Sequence, residues 1–225
     1  MRQITVSTAA AFAPLCLSAG LAMAQPAAEA PADSQLYEID AQNSDVHWLV
    51  YSAGPAARFG HNHVISVGEL TGSVLLSPEL EQSQFEIEIP VADLVVDDPD
   101  LRAAQEGDQF DSVPDEDDVA GTRRNMLSER VLNAEQHPFL RITGTGPTGA
   151  PGEQMLDATI ELLGRSIPVS LPTEVSVDGD AIEASGTFRL THEMLGMEPF
   201  SVMMGALQVG EPLDFSYRIT ARRAD

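Results

Sequence analysis

Cysteine is nearly absent from this 225-residue sequence. The one cysteine, Cys16, lies inside an apolar run near the start of the chain, from Ile4 to Leu21. Without that run the chain carries no thiol, which excludes a disulfide, a thiolate metal site and a cysteine nucleophile. We therefore expect the fold to be held together by its core alone.

Basic residues are also scarce. The chain has 12 Lys and Arg against 35 Asp and Glu, a formal net charge of −23 and an isoelectric point near 4.3. Binding to nucleic acid needs clustered basic side chains, so nucleic acid is excluded as an expected partner. An anionic membrane surface is disfavoured for the same reason. We interpret the acidity as a source of solubility.

Long apolar runs are missing except at the beginning of the chain. Arg2 precedes the run from Ile4 to Leu21, which ends in Ala22-Met23-Ala24. This pattern predicts a cleaved signal peptide over residues 1–24 and a periplasmic or secreted protein. We expect no transmembrane segment after it. Residues 25–35 have the composition of a disordered linker, and residues 36–225 suit one domain.

Alternation of apolar and polar residues dominates that domain. Leu156 to Leu171 reads as two alternating strands around Gly164, which has the backbone freedom that a tight hairpin needs. Pro168 has no amide hydrogen and must occupy a non-donating or edge position. The same two-residue period predicts further strands at Leu36–Ile39, Val46–Ser52, Val64–Leu76, Phe85–Ile89, Phe139–Gly144, Glu174–Val177, Ile182–Leu190 and Leu213–Ala221. About eight antiparallel strands with one dry face each predict an all-β fold, an up-and-down barrel or a sandwich.

Two segments depart from the strand pattern. Thr122 to Asn133 has Leu127 and Val131 at helical spacing, which predicts one short helix. Residues 97–118 contain ten acids and one arginine and predict a long solvated loop insertion, with a helical turn near Leu101–Glu106. The loop lacks the ligand spacing of a calcium-binding hand, so calcium is not expected.

Catalytic motifs are missing. The run Gly144–Gly149 matches a dinucleotide fingerprint in letters, but prolines and a strand follow it where a phosphate-binding helix is required. His192-Glu193 has no second histidine at zinc-protease spacing, and no Gly-x-Ser-x-Gly elbow occurs. We therefore predict that the protein is not an enzyme and needs no cofactor.

His61 and His63 form the most chemical-looking spot in the sequence. In an extended segment both rings share a face, and His47 on a neighbouring strand could complete a metal site. Alternatively, Gly60-His61-Asn62 is a turn and His63 bonds to the rim of the sheet. A His-x-His pair without a placed carboxylate is weak evidence for metal, so we prefer the turn and keep a metal or redox-accessory role as the alternative function.

Methionine is concentrated in one segment. Met194, Met197, Met203 and Met204 fall within eleven residues. Methionine adapts well to pliable apolar partners, although it also fills cores. We interpret this segment as part of a lining or portal.

Several segments together resemble the YceI family of exported, lipocalin-like barrels that bind polyisoprenoid lipids. The resemblance extends from about residue 36 to 224 and rests on segments in the family's order. These are Tyr37–Asp40 with Asp45–Trp48, Gly68–Gly72, Met126–Phe139, Ala158–Val169, Phe188–Gly196 and Val209–Leu213. The His61-Asn62-His63 segment is not the family's general pattern, and the acidic loop is longer than usual.

The resemblance implies a closed barrel that holds a polyisoprenoid, such as a quinone tail, without catalysing a reaction. The family's lipid contacts are mostly apolar wall positions. We therefore expect ligand contacts from the inward residues of the alternating strands and from the methionine segment: Phe85, Ile87, Ile160, Leu162, Val169, Phe188, Phe215 and Tyr217, with Met197 and Met203 near the mouth. A fully packed interior would instead indicate a structural or stress-protective partner binder. The sequence leaves the ligand's identity and chain length, and the oligomeric state, open.

Overall fold

The computed structural model describes residue 31 and residues 33–224. They form fourteen strands and two α-helices. The strands are β1 Gln35–Ile39, β2 Asp45–Val50, β3 Ser52–Ala53, β4 His63–Val67, β5 Thr71–Leu76, β6 Gln84–Pro90, β7 Leu94–Val96, β8 Phe139–Thr145, β9 Gln154–Leu162, β10 Arg165–Asp178, β11 Ala181–Leu190, β12 Ser201–Val202, β13 Leu207–Val209 and β14 Leu213–Arg223. The helices are α1 Pro99–Ala103 and α2 Glu116–Leu127. The predicted signal peptide and most of the predicted linker lie outside the described residues.

Eight strands close into an antiparallel barrel in the order β1-β5-β6-β8-β9-β10-β11-β14, and β14 pairs back onto β1. The predicted all-β, lipocalin-like barrel is therefore confirmed. The predicted hairpin is present as β9 and β10, with Ile160 opposite Ile167. Leu163 and Gly164 form its turn with φ of 53° and 72°, the geometry of a tight two-residue hairpin.

Three further strands extend the sheet from β14, because β2 pairs with β14, β4 with β2, and β7 with β4. The predicted single strand Val64–Leu76 is therefore wrong. It divides into β4 and β5, which lie in different parts of the sheet. The chain turns at Gly68, where a Cβ atom would lie 2.4 Å from the carbonyl oxygen of Asp93. A side chain at this position could not be accommodated.

Strand β10 changes its partner along its length. Arg165–Thr173 pairs with β9, and Glu174–Asp178 pairs with β11. In the described part of the chain, residues 186–190 of β11 therefore pair only with β14. Pro168 and Pro172 lie in the segment of β10 that pairs on one side, where a missing amide hydrogen is tolerated.

The predicted helix is present, but it lies closer to the start of the chain than predicted. Helix α2 begins at Glu116 rather than Thr122, and it ends at Leu127 rather than Asn133. The Asp115 carboxylate caps it by accepting from the Asp118 amide at 2.9 Å. The acids of the first turn, which indicated a loop, are favourable beside the positive end of the helix dipole. The predicted acidic loop therefore contains α1 and the start of α2, so the domain has two helices instead of one.

The buried side chains form two main groups. One lies beneath β4, β6, β7 and α2, and the other lies between β9, β11 and the start of β14. The first contains Ile65, Leu70, Ile89, Val91, Leu94, Val96, Met126 and Ile219. The second, called here the upper core, contains Ile160, Leu162, Leu190, Leu195 and Leu213. The upper core fills the end of the barrel where β10 begins and β11 ends.

Candidate functional site

A row of aromatic rings crosses the barrel interior below the upper core. Register places Phe215 of β14 between Trp48 of β2 and Phe188 of β11. The Phe188 and Phe215 rings stack with centroids 5.0 Å apart and planes 1° apart, and Trp48 stacks on Phe215 at 5.6 Å. Tyr217 tilts against Phe188 at 6.0 Å. The row places four aromatic rings on the inward face of the sheet, of which Phe188, Phe215 and Tyr217 line the interior cavity.

This interior cavity of about 140 Å³ lies against the aromatic row. Inward positions of the barrel strands line it, and Leu80, Gly146 and Pro147 approach it from two loops at one end. No charged residue lines it in the described part of the chain. Its other lining residues include Ile39, Val46, Val74, Leu76, Phe85, Ile87, Ile89, Ile142, Leu156, Leu171, Val175, Ile182, Ala184, Phe188, Phe215, Tyr217 and Ile219.

The Tyr217 phenol is the polar end of the aromatic row. It donates a hydrogen bond across the barrel wall to the Pro172 carbonyl oxygen at 3.1 Å. Burial raises the pKa of Tyr217, and the nearby Thr173 hydroxyl partly offsets that rise. The phenol therefore stays protonated at neutral pH and serves as a hydrogen-bonding group.

The predicted contact residues divide between the cavity wall and the upper core, except for Met203, which is described below. Phe85, Ile87, Phe188, Phe215 and Tyr217 line the cavity. Others belong to the upper core or pack against it: Ile160, Leu162, Val169 and Met197.

Met203 does not line the cavity. Its side chain is 64% exposed, because a short 3-10 turn at Met203–Gly205 carries it into solvent. The expected position of Met203 near a mouth of the barrel stays a prediction.

Sequence reasoning missed two wall residues that its own pattern contained. Trp48 alternates with His47 and Leu49 on a predicted strand, which gives it an inward position. Ala184 alternates with Ile182 on another predicted strand, and it lines the cavity. Ala184 was not predicted as a contact, because the prediction considered only large apolar side chains.

His63 belongs to a buried polar network at the rim of the barrel. Its Nδ1 lies 2.6 Å from Oδ2 of Asp97, and Oδ1 of Asp97 accepts from Arg102 at 2.7 Å and from the Val64 amide at 2.9 Å. Burial alone would raise the pKa of Asp97, but the bonds from His63 and Val64 and the charge of Arg102 hold it below the ordinary value. The network ties the acidic segment to β4.

The three histidines of the alternative metal site do not converge. His63 is opposite Val50 and shares the face of Trp48, whereas His47 points to the other face and bonds Asp45 at 2.8 Å. His61 lies 3.2 Å from Asp118. Within the described residues, no group of three or more His, Cys, Asp or Glu side chains could hold a metal ion. The His61 and His63 rings lie 6.3 Å apart, and His47 is separated from them because it lies on the opposite face of the sheet.

A larger depression of about 700 Å³ lies on the outer face of the barrel, between β2, β10, β11 and β14. Asp45, Glu183 and Arg218 are among the polar side chains that line it. It is open to water and suits no apolar guest. The interior cavity is therefore the better candidate site.

A closed antiparallel barrel with an apolar interior cavity defines a lipocalin-like fold of the kind that binds small apolar molecules. The model of the YceI-like domain matches residues 37–221, and the chain belongs to the YceI family. No match is found among curated proteins by sequence comparison.

Solved structures share the fold at low sequence identity. BcnA of Burkholderia cenocepacia is 11% identical with a TM-score of 0.57, covering 81% of this chain and 98% of its own. A polyisoprenoid binding domain from Saccharophagus degradans, implicated in plant cell wall breakdown, is 11% identical with a TM-score of 0.50, covering 84% and 98%. A mutant Campylobacter jejuni YceI protein with a monobromobimane guest is 10% identical with a TM-score of 0.50, covering 72% and 85%.

Among the described residues, no helix has the length and apolar character needed to cross a membrane.

Proposed function

We propose that this protein is an exported, non-catalytic binding protein that carries an isoprenoid or similar quinone-like lipid in its barrel. The observation that carries the proposal is the interior cavity, whose wall consists mostly of aliphatic and aromatic side chains on strands of a closed barrel, with Ser83, Gln84 and Ser216 as its small polar share. The signal-peptide pattern of residues 1–24 supports export. The polyisoprenoid binding domain of Saccharophagus degradans, which shares the fold, supports the ligand class.

Transfer of apolar area into such a cavity contributes about 25 cal/mol per Å² and requires no charged or catalytic group. The cavity offers that kind of surface. Its volume, about 140 Å³, is close to the ~150 Å³ engineered cavity that holds benzene. It therefore fits about a single isoprene unit as it stands, and a longer chain must displace side chains that line the cavity.

Filling the cavity should abolish binding. Ala184 lies on its wall, so Ala184→Leu places a larger side chain where a ligand would lie. We expect the variant to lower the affinity for a fluorescent prenyl probe at least tenfold. The matched control is Thr187→Leu, on the same strand but exposed and outward, which should bind as wild type does. Equal binding by Ala184→Leu would place the ligand elsewhere.

The natural ligand can be sought directly. Protein purified from its own host is extracted with organic solvent, and the extract is analysed by mass spectrometry beside an extract of Ala184→Leu. We expect a prenylated lipid that wild type retains and the variant lacks. Repeatedly empty protein that also fails to bind the prenyl probe would overturn the proposal. Cell fractionation of the same cultures tests export.

A further inference from the structure

One buried hydroxyl beside the cavity lacks a hydrogen-bond partner. Thr173 is 4% exposed, and its Oγ1 forms no hydrogen bond within the described residues. Thr173 takes the inward position on β10 between Leu171 and Val175, both of which line the cavity. A buried hydroxyl without a partner costs about 1–3 kcal/mol, so such groups are rare in folded proteins. Thr173 is not itself on the cavity wall, but it shares the inward face of β10 with two residues that are.

A second hydrogen-bonding group lies next to this hydroxyl. Tyr217 lines the cavity, and its phenol bonds to the carbonyl oxygen of Pro172, the residue directly before Thr173. The phenol donates its one hydrogen bond to the Pro172 carbonyl oxygen at 3.1 Å, and the lone pairs of the phenol oxygen can still accept a hydrogen bond. Gly186 makes room for this arrangement, because a Cβ atom there would lie 2.9 Å from Cε1 of the Tyr217 ring.

We propose that Thr173 and Tyr217 form the polar recognition point of the cavity and select an apolar chain that ends in a hydroxyl group, such as a prenyl alcohol. This inference rests on the proposed function and names the ligand more closely. The Thr173 hydroxyl donates to the ligand oxygen, and the ligand hydroxyl donates to the Tyr217 oxygen. A carbonyl oxygen can use only the first bond, and a pure hydrocarbon can use neither. The remaining wall supplies no charged group that would favour an acid or an amine.

The unpaired hydroxyl also has an expected effect on stability. Valine has the shape of threonine without the hydroxyl, and it would remove the unpaired group from the empty protein. We therefore expect Thr173→Val to raise the melting temperature of the ligand-free protein. A residue kept only for packing would not show a gain in stability together with a loss of ligand selectivity.

The test compares two matched probes, farnesol and its hydrocarbon analogue farnesene, each measured by displacement of a fluorescent prenyl probe. Water solvates the alcohol better than the hydrocarbon, so the informative quantity is the ratio of the two dissociation constants in each variant. We expect Thr173→Val to shift this ratio about three- to tenfold against farnesol, the range expected for one net hydrogen bond. Thr173→Ser keeps the hydroxyl and should keep the ratio, and the outward Thr187→Val serves as the surface control.

Tyr217→Phe removes the accepting oxygen and should shift the ratio in the same direction. An unchanged ratio in both Thr173→Val and Tyr217→Phe, with farnesol still bound, would overturn the recognition point and leave the proposed function standing. A wild-type protein that binds neither probe would overturn both proposals. Near-ultraviolet circular dichroism of each variant checks that the barrel is folded, and the serine variant keeps the test decisive where valine perturbs it.

Discussion

At the scale of single residues, the Asp97 carboxylate is the most consequential buried charge that the structure shows. Its side chain is 3% exposed, and it contacts Arg102, His63 and the Val64 amide. Removal of one partner from a buried ion pair leaves the other charge unpaired, which costs about 3–5 kcal/mol. This network therefore controls how firmly the acidic segment is held to the barrel.

We expect Asp97→Asn to lower the free energy of unfolding by about 3–5 kcal/mol at pH 7. Asp118→Asn is the control, because Asp118 is half exposed and contacts only the partly exposed His61, so its loss should stay below about 1 kcal/mol. Chemical denaturation of both variants measures the difference. Equal effects would show that the buried network contributes no more than a surface pair.

Wild type and Asp97→Asn should also differ in how their stability depends on pH. The pKa of Asp97 is lowered in the folded protein, so its contribution is complete above the ordinary unfolded value near 4. It is lost as the pH falls through the lower folded value. The gap between wild type and Asp97→Asn should therefore be present at pH 7 and should close below about pH 4. A gap that persists at pH 2 would assign the effect to packing.

Prediction from sequence worked unevenly at this scale. Phe85, Phe188 and Phe215 were identified as inward because alternation fixes the face of a strand residue. The partner of His63 was not identified, since Asp97 is 34 residues away and only the folded sheet brings them together. Thr173 also follows the inward alternation of β10, but a single threonine on an apolar face gives no signal of being unpaired.

At the scale of elements, the change of partner along β10 depends on a close approach at Gly186. A Cβ atom at this position would lie 2.2 Å from the Pro172 carbonyl oxygen and 2.9 Å from the Tyr217 ring. We expect Gly186→Ala to destabilise the protein by about 1–3 kcal/mol, the usual cost of overpacking. Ser185→Ala, next to it and outward, should change stability by less than about 0.5 kcal/mol. Thermal unfolding of the two variants measures this, and a neutral Gly186→Ala would mean that β10 can move away freely.

Elements with strong local signals were predicted correctly, and elements whose ends depend on tertiary contacts were not. The β9–β10 hairpin has continuous alternation on both sides of a glycine turn, so local chemistry is sufficient. Val64–Leu76 keeps its alternation through the break at Gly68, where the chain turns and the Gly68 amide donates to the Asp93 carbonyl oxygen, a contact that no local pattern indicates. The start of α2 was missed because acids that favour a helix N-terminus also resemble a solvated loop.

At the scale of the whole molecule, the sequence predicts a barrel but not how much space it encloses. Closure joins β1 to β14, with Tyr37 opposite Arg223, and no local pattern encodes such a distant pair. The interior volume is what remains after about twenty side chains from many strands have packed together. The sequence therefore placed Phe85, Ile87, Phe188, Phe215 and Tyr217 on the cavity wall, but it did not indicate that other inward residues pack into a core or that the cavity is as small as about 140 Å³.

That volume predicts how affinity depends on ligand length. Each buried CH₂ contributes about 0.8 kcal/mol, so a fully accommodated five-carbon isoprene unit gains up to about 4 kcal/mol. The existing cavity has room for about one such unit, so further units must displace side chains that line it. For prenyl alcohols of one to four units, we expect the gain in binding free energy per added unit to decrease after the first or second. Displacement titrations against a fluorescent prenyl probe measure the series, with Ala184→Leu as a control in which the early gain should be lost. A constant gain through all four units would show that the barrel opens into a long channel at little cost, because only a pre-formed or readily expanded interior can accept each unit equally well.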